Sequence, residues 1–179
     1  MSIDAAAHIR SLPGIPEPQI ADDAFVAAGA VVVGNVVLQG RSSVWYNAVL
    51  RAEVAQITLG PGSNLQDLSA CHADAGFPLQ IGAGVSIGHQ AVLHGCTIED
   101  DVLIGMGARV LNGAVVGQGS LVAAGTVVLE GTIIPPHSLV AGVPGKVRRV
   151  LTEAERDGIR MNAEAYLGFS ERHEAAAHS

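Results

Sequence analysis

Aliphatic residues recur every six positions over most of this chain, from Ile20 to about Val140. A small residue, usually Ala, Ser or Thr, follows four positions after nearly every one of them. The aliphatic positions, with one cysteine among them, are Ile20, Val26, Val32, Leu38, Val44, Leu50, Leu59, Leu65, Cys71, Ile81, Ile87, Leu93, Ile98, Ile104, Val110, Val116, Val122, Val128, Ile134 and Val140. Neither an α-helix nor an antiparallel meander has this period. Hexapeptide repeats are typical of a mainly β protein that forms a parallel β-helix, in which three short strands complete each turn.

The same repeat places three side chains in one column. If three hexads make one turn, the residues that follow the third aliphatic position of successive turns are Arg51, His72 and His94. Stacked strands lie about 4.8 Å apart, so the rings of His72 and His94 are expected one turn apart and pointing the same way. Such a pair can share a metal ion at a Zn–N distance of about 2.0–2.1 Å.

His89 falls in a different column, above Asp67 and Tyr46 on the second face of the prism. One prism does not easily bring that face to the same ion, but a neighbouring prism in a three-fold ring can. The spacing therefore predicts a metal site shared across a trimer interface, with surface histidines as the alternative. The remaining histidines fit no such pattern and are expected to be solvated: His8, His137, His173 and His178.

The length of 179 residues suits one domain with short tails. We expect a lead-in over 1–19, the β-helix over 20–145, a helix over 152–170 that packs on the prism, and a frayed tail over 171–179. Thr152 and Glu155 form the pattern of a capping box at the start of that helix. The repeat is interrupted at Ala52–Gln56 and at His72–Gln80, which predicts two loops beside the column of candidate ligands.

Composition and charge narrow the class of protein. Hydrophobic residues make up 49% of the chain and aromatic residues only 3%, which suits a narrow prism filled with aliphatic layers. A net charge of −7 without a basic cluster argues against binding to nucleic acid or an anionic membrane. No signal peptide or membrane span is apparent, and Cys71 and Cys96 do not form the pattern of a disulfide, so a cytoplasmic protein is expected.

Three neutral imidazoles with one open position are typical of a catalytic zinc site, because a structural site is closed. A zinc ion in such a site lowers the pKa of its bound water to about 7. Gln66 lies beside Asp67, and its amide is expected to orient hydroxide on the metal. Arg51 is expected either to hold an anionic product such as bicarbonate or to pair with Asp67 of the adjacent subunit.

These residues resemble those of the γ-class carbonic anhydrases. The resemblance rests on Arg51, 63–67 (SNLQD), His72 and 87–96 (IGHQAVLHGC), and 104–108 (IGMGA) and 142–146 (GVPGK) are similar to its bacterial branch. It implies a left-handed β-helix, a homotrimer, and zinc (Zn2+), with iron or cobalt (Fe2+ or Co2+) in some members. The metal would be bound by His72 and His94 of one subunit and His89 of the next.

The resemblance also implies roles for four further residues. Gln66 would contact the solvent on the metal, Arg51 would pair with Asp67 between subunits, and Tyr166 on the C-terminal helix would approach the metal. The expected reaction is the reversible hydration of CO2 to bicarbonate. The alternatives are a metal-assisted hydrolase of an acyl or thioester substrate, a CoA-dependent acyltransferase, and a non-catalytic trimer stabilised by metal.

Overall fold

A computed structural model describes residues 2–177, and the chain forms a parallel β-solenoid of about seven turns followed by one α-helix. The predicted fold, a mainly β hexapeptide β-helix with a C-terminal helix, is confirmed. Residues 1, 178 and 179 lie outside the described part of the chain, and with them His178 and the outer ends of the predicted segments 1–19 and 171–179.

The strands are short and follow one another around three faces. In chain order they are β1 (Ser2–Ile3), β2 (His8–Arg10), β3 (Gln19–Ile20), β4 (Phe25–Val26), β5 (Val31–Leu38), β6 (Ser43–Val44), β7 (Val49–Leu59), β8 (Asn64–Leu65), β9 (Ala70–His72), β10 (Leu79–Ile81), β11 (Ser86–Ile87), β12 (Val92–His94), β13 (Thr97–Ile98), β14 (Leu103–Ile104), β15 (Arg109–Val110), β16 (Val115–Val116), β17 (Leu121–Val122), β18 (Val127–Val128), β19 (Ile133–Ile134), β20 (Ser138–Ala141) and β21 (Lys146–Val150). The helix is α1 (Glu153–Ala177).

The pairing follows the six-residue repeat. One face is a sheet in the order β1-β4-β6-β8-β11-β14-β17-β20-β21, and the long strands β5 and β7 bend between the other two faces. Leu65, Ile87 and Ile104 stack in register, and all three are fully buried. Burying such a side chain contributes about 1.5–3 kcal/mol, so the aliphatic column between the faces supplies the core of the fold.

The corners of the prism require small residues. A Cβ added at Gly88 would lie 2.7 Å from the backbone nitrogen of Met106 on the next turn, and one at Gly105 would lie 2.5 Å from that of Ala124. The buried hydroxyl of Ser63 forms a hydrogen bond between turns, because it donates to the carbonyl oxygen of Gly82 at 2.7 Å. Successive turns can therefore stack closely along the whole corner.

Three segments differ from the expected boundaries. The lead-in predicted over 1–19 carries β1 and β2, which pair in parallel with β4 and β5 and so complete an earlier turn. The first interruption, predicted as a loop at Ala52–Gln56, lies inside the continuous strand β7. The second interruption does leave the sheet, with a bridge between Asp74 and Phe77. The helix continues to Ala177, past the predicted end at 170.

Helix α1 begins at the predicted capping box. The backbone N–H of Thr152 donates to Oε2 of Glu155 at 2.8 Å, and the N–H of Glu155 donates to Oγ1 of Thr152 at 3.3 Å. Ile159 and Ala163 are buried against the prism, and α1 contacts β6 and β11. Within residues 2–177 there is no helix with the length and apolar character needed to cross a membrane.

The helix runs back along the stack toward its first turns. Most of the chain's few aromatic residues meet at this contact, where Trp45 lies 5.4 Å from both Phe25 and Tyr166, measured between ring centroids. His173, expected to be solvated, is exposed but places its Nδ1 2.7 Å from the hydroxyl of Tyr46. Aromatic packing thus fixes the half of α1 that carries Tyr166.

Candidate metal centre

His72 and His94 face each other across one turn of the β-helix. They end strands β9 and β12 and are register partners, and Arg51 of β7 is the partner of His72 on the other side. Nδ1 of His72 lies 2.9 Å from Nε2 of His94. Alternation along the strands explains their direction: Cys71 and Leu93 point into the core, so the following histidines point outward. The predicted column is therefore present.

The second nitrogen of His94 is also engaged. Its Nδ1 lies 2.8 Å from Oδ1 of Asn112, and Nδ2 of Asn112 donates to Oδ2 of Asp74 at 2.9 Å. A histidine that binds a metal usually donates its other ring N–H to an oxygen of the protein, which fixes the ring and its tautomer. His94 has this arrangement.

His72 sits between two acidic side chains and one arginine. Its Nε2 lies 3.4 Å from Oε2 of Glu53, its Nδ1 lies 3.8 Å from Oδ1 of Asp74, and Arg51 forms an ion pair with Glu53. Burial lowers the pKa of His72, and the nearby Arg51 and His94 lower it further while Asp74 opposes them. The neutral imidazole, which is the form that binds a metal, is favoured.

His89 lies on another face, in the corner that follows β11. Its Nδ1 is 2.8 Å from Oδ2 of Asp67, which occupies the equivalent corner one turn earlier. Within the described residues, the histidine and acidic side chains close enough to share one ion are His72, Asp74 and His94, with ligand atoms within 4.8 Å of one another. A single chain thus brings two of the three predicted histidines together and leaves His89 apart.

The donor set fits a divalent transition metal. Imidazole and carboxylate are ligands that zinc prefers, and the facing ring nitrogens, Nδ1 of His72 and Nε2 of His94, supply two of them. Burial raises the pKa of Cys96 to about 12, and it also raises that of Cys71. Both cysteines are free thiols inside the prism, as the register of Cys71 predicted for that residue, and they are poorly placed to bind a metal beside the histidines.

Gln66 and Tyr166 meet at a cavity of about 290 Å³ between the corner of the prism and α1. His89, Met106 and Asn162 also line it. Gln66 is almost fully buried, and its Nε2 donates to Oδ1 of Asn64 at 3.0 Å. Burial raises the pKa of the Tyr166 phenol, and the nearby Asp67 carboxylate raises it further, so the hydroxyl remains a neutral donor. The second face and the helix therefore place a few polar groups around His89 in a cavity whose lining is otherwise mostly apolar.

Sequence reasoning missed Asn112 and Asp74. Asp74 follows His72 by two positions in the predicted loop, and Asn112 lies two positions after the aliphatic Val110. The signal that could have found Asn112 is the repeat itself, because position 112 stacks on Gly95, directly beside His94. A polar residue that stacks on a glycine next to a candidate ligand indicates a side chain that can cross the glycine and contact that ligand.

Known proteins match both the repeat and the site-bearing segments. Residues 95–130 match the family Bacterial transferase hexapeptide (six repeats). The chain is 57% identical over 152 residues to a protein of Methanocaldococcus jannaschii named as a probable carbonic anhydrase, covering 85% of this chain and 96% of that relative. It is 47% identical over 136 residues to a carbonic anhydrase of Geobacillus kaustophilus, covering 76% and 75%. The chain belongs to the γ-class carbonic anhydrase family.

Solved structures agree with this γ-class carbonic anhydrase fold. A Bacillus cereus protein described as a candidate acetyltransferase is 35% identical and superposes with a TM-score of 0.94, covering 96% of this chain and 99% of that one. Proteins with the same fold thus include some described as acyl-transfer enzymes, so the function must be argued from the site. In this γ-class chain the candidate site is the pair of histidines with the residues around them.

Proposed function

We propose that this protein catalyses the reversible hydration of CO2 to bicarbonate at a zinc site shared between subunits of a homotrimer. His72 and His94 would bind the ion from one subunit, and His89 of the partner subunit would complete the site. The observation that carries this proposal is the 2.9 Å approach of the His72 and His94 ring nitrogens across one turn. Membership of the carbonic anhydrase family supports the reaction.

The state of the histidines supports metal binding. Each of the three has a protein oxygen near its second nitrogen: Asp67 for His89, Asn112 for His94 and, at the longer distance of 3.4 Å, Glu53 for His72. Asp67 and Asn112 hold the rings of His89 and His94 with one nitrogen directed away from them. Zinc, when bound, would lower the pKa of a water molecule so that hydroxide is available near neutral pH.

The position of His89 supports a shared site. It lies on a different face from His72 and His94, so a neighbouring prism is needed to bring the third imidazole to the pair. Three apolar side chains beside the site residues are more than half exposed in the single chain: Val54 at 57%, Leu68 at 55% and Met106 at 59%. Leu68 also has a positive φ of 62°, which is unusual for a bulky residue. In the proposed trimer a neighbouring subunit would cover these side chains and remove their apolar surface from water.

Other residues of this chain would handle the substrate. Gln66 is held by Asn64 and lies in the wall of the cavity beside His89, which suits an amide that orients solvent. Tyr166 would donate a hydrogen bond at the same cavity. Arg51 is about half exposed and would either bind the bicarbonate anion or pair with Asp67 of the partner subunit. Asp67 itself would hold His89 in position.

A second candidate is hydrolysis of a small acyl ester or thioester by the same site. The cavity of about 290 Å³ beside His89 is much larger than CO2, and apolar residues such as Leu103, Ile104 and Met106 line part of it. Acyl transfer from coenzyme A remains a third candidate because of the acetyltransferase described among similar structures. Both are tested with the same protein and the same histidine variants.

The reaction is tested by stopped-flow CO2 hydration on the zinc-loaded protein, with zinc measured on the same sample. We expect about one zinc per subunit, hydration lost in His94→Ala, and both retained in the exposed control His8→Ala. Full zinc content without hydration would refute the reaction and favour an acyl substrate, tested with p-nitrophenyl esters and acetyl-CoA. A protein that takes up no zinc would refute the site.

The shared site is tested by mixing two inactive variants. His89→Ala retains the pair His72 and His94, and His72→Ala retains His89. If the site lies between subunits of a three-fold ring, refolding an equal mixture regenerates roughly a quarter of the sites, because each interface needs one subunit of each kind in the right order. If all three ligands come from one chain, the mixture binds no more zinc than the two variants do separately.

A further inference from the structure

We propose that Asn112 and Asp74 act as positioning residues that hold the His94 ring with its Nε2 free for the metal. This inference rests on the proposed function, because it takes His94 as a ligand. The three side chains form one hydrogen-bonded series, from Nδ1 of His94 to Oδ1 of Asn112 at 2.8 Å and from Nδ2 of Asn112 to Oδ2 of Asp74 at 2.9 Å.

The direction of each hydrogen bond follows from the chemistry of the groups. An ionised carboxylate only accepts, so Asp74 takes the NH2 end of the Asn112 amide. The carbonyl end of that amide must then face His94, and it too can only accept. His94 is therefore held with its proton on Nδ1, which leaves the lone pair of Nε2 directed toward His72. The Asp74 carboxylate, two hydrogen bonds away from the ring, thus selects the tautomer of His94.

The backbone makes room for this series at Gly95. A Cβ added at Gly95 would overlap Oδ1 of Asn112 and would lie 2.7 Å from Cβ of Phe77. Gly95 has a φ of 53°, and its bare backbone lets the Asn112 side chain pass from one turn to the ring of His94 on the turn before. The glycine that follows His94 is thereby part of the arrangement.

Phe77 holds the loop that supplies Asp74. Its ring covers the backbone of Gly113, where an added Cβ would lie 3.2 Å from Cε1 of Phe77. The N–H of Phe77 donates to the carbonyl oxygen of Asp74 at 2.9 Å, which closes the loop after His72. The loop begins directly after His72. It therefore starts at one candidate ligand and brings the Asp74 carboxylate toward the next one, His94.

The test compares zinc affinity in two variants that both remove Asn112. Asn112→Leu is similar in size and has no acceptor, so we expect zinc to bind about 10- to 100-fold more weakly, measured by competition with a chelator. The double exchange Asn112→Asp with Asp74→Asn keeps the series, because the amide at position 74 can donate to the carboxylate at position 112. It should bind zinc within about tenfold of the parent.

If Asn112 served only for packing, both variants would be affected alike. The visible spectrum of the Co2+-loaded proteins separates such a packing role from a role in orienting His94. The parent and the double exchange should give the same bands, and Asn112→Leu should give altered ones. Asn35→Leu is the matched control and should change neither reading, because Asn35 accepts from Gln56 elsewhere in the stack. Parent-like zinc affinity in Asn112→Leu, or equal weakening in the double exchange, would overturn the proposal.

Asp74→Ala provides an independent arm if Asn112→Leu does not fold. The Asp74 side chain is 47% exposed, so its loss should leave the fold intact. Zinc affinity should fall by a smaller factor, about 3- to 10-fold, because Asp74 acts on His94 through the amide. An unchanged affinity overturns the inference. A parent protein that binds no zinc overturns the proposed function, and this inference with it.

Discussion

Asp67 and His89 are joined across one turn of the β-helix, with Oδ2 of Asp67 2.8 Å from Nδ1 of His89. They occupy equivalent corners, because the preceding residues Leu65 and Ile87 are register partners. The carboxylate that was expected to pair with Arg51 between subunits thus already holds a histidine within the chain. The Arg51–Asp67 pair stays a prediction, and it would have to share this carboxylate.

Replacing Asp67 should weaken metal binding. In Asp67→Ala the Nδ1 of His89 loses its acceptor and the ring loses its orientation, so zinc affinity should fall about 10- to 100-fold. Competition with a chelator measures this, and circular dichroism checks that the variant is folded. The exposed Asp23→Ala serves as the control. Equal zinc affinity in both variants would mean that the Asp67–His89 contact does not orient a ligand.

Removing the hydroxyl of Tyr166 should slow CO2 hydration without loss of zinc. The ring of Tyr166 packs 5.4 Å from that of Trp45, and Tyr166→Phe keeps this contact. One hydrogen bond to the reacting groups is worth about 1–1.5 kcal/mol, so kcat should fall about tenfold. An unchanged kcat would limit Tyr166 to packing of the helix. Zinc content measured on the same sample separates the two effects.

Both thiols should be unreactive in the folded protein. Burial raises the pKa of Cys96 to about 12 and raises that of Cys71 as well, so neither forms a thiolate at pH 8. Ellman's reagent should detect no thiol in native protein at that pH and two per chain after unfolding in guanidinium. A rapid reaction of native protein would contradict the inward register of Cys71, and with it the outward direction of His72.

The start of α1 should give the protein part of its acid sensitivity. Hydrogen bonds from Arg149 first, and then from Thr152, lower the pKa of Glu155 from 4.5 to about 2. The stabilisation is fully present above pH 4.5 and is lost as the pH falls through about 2. Glu155→Gln should therefore flatten the decline of the thermal midpoint over this range.

The control for this measurement is Glu130→Gln, at an exposed position of the prism. It should keep the pH dependence of the parent. If Glu155→Gln declines as steeply as the parent, the contact between Arg149 and Glu155 contributes nothing measurable, as is common for exposed ion pairs.

The fold was predictable because the residues that become buried recur in the sequence at a fixed period of six. Every turn must fill the same narrow interior, so position along the repeat gives both the direction of a side chain and its neighbours one turn away. That is why the column of His72 and His94 was found. The first turn was missed although Ile3 and Ile9 share the six-residue spacing and pack against the core. Prolines at 13, 16 and 18 hid its continuation.

The supporting residues of the site were harder to predict. The repeat places Asn112 above Gly95 and beside His94, but it does not give the direction of the Asn112 side chain. Asp74 reaches Asn112 from a loop that lies outside the repeat. Such contacts depend on side-chain length and on the path of an irregular segment. The subunit arrangement depends on surfaces that the repeat leaves free to vary, so His89 as a ligand remains a prediction.

The length of α1 is matched to the height of the stack, because the helix runs back along it. Its residue Arg156 lies with His137 beside Gly119 in the later turns. Its residue Tyr166 lies at the level of His89, and its residue His173 lies beside Phe25 in the early turns. One added turn would lengthen the stack by about 4.8 Å. A helix rises about 1.5 Å per residue. Each turn inserted after the site would therefore need roughly three more helical residues before Tyr166, so the lengths of scaffold and helix are tied to each other.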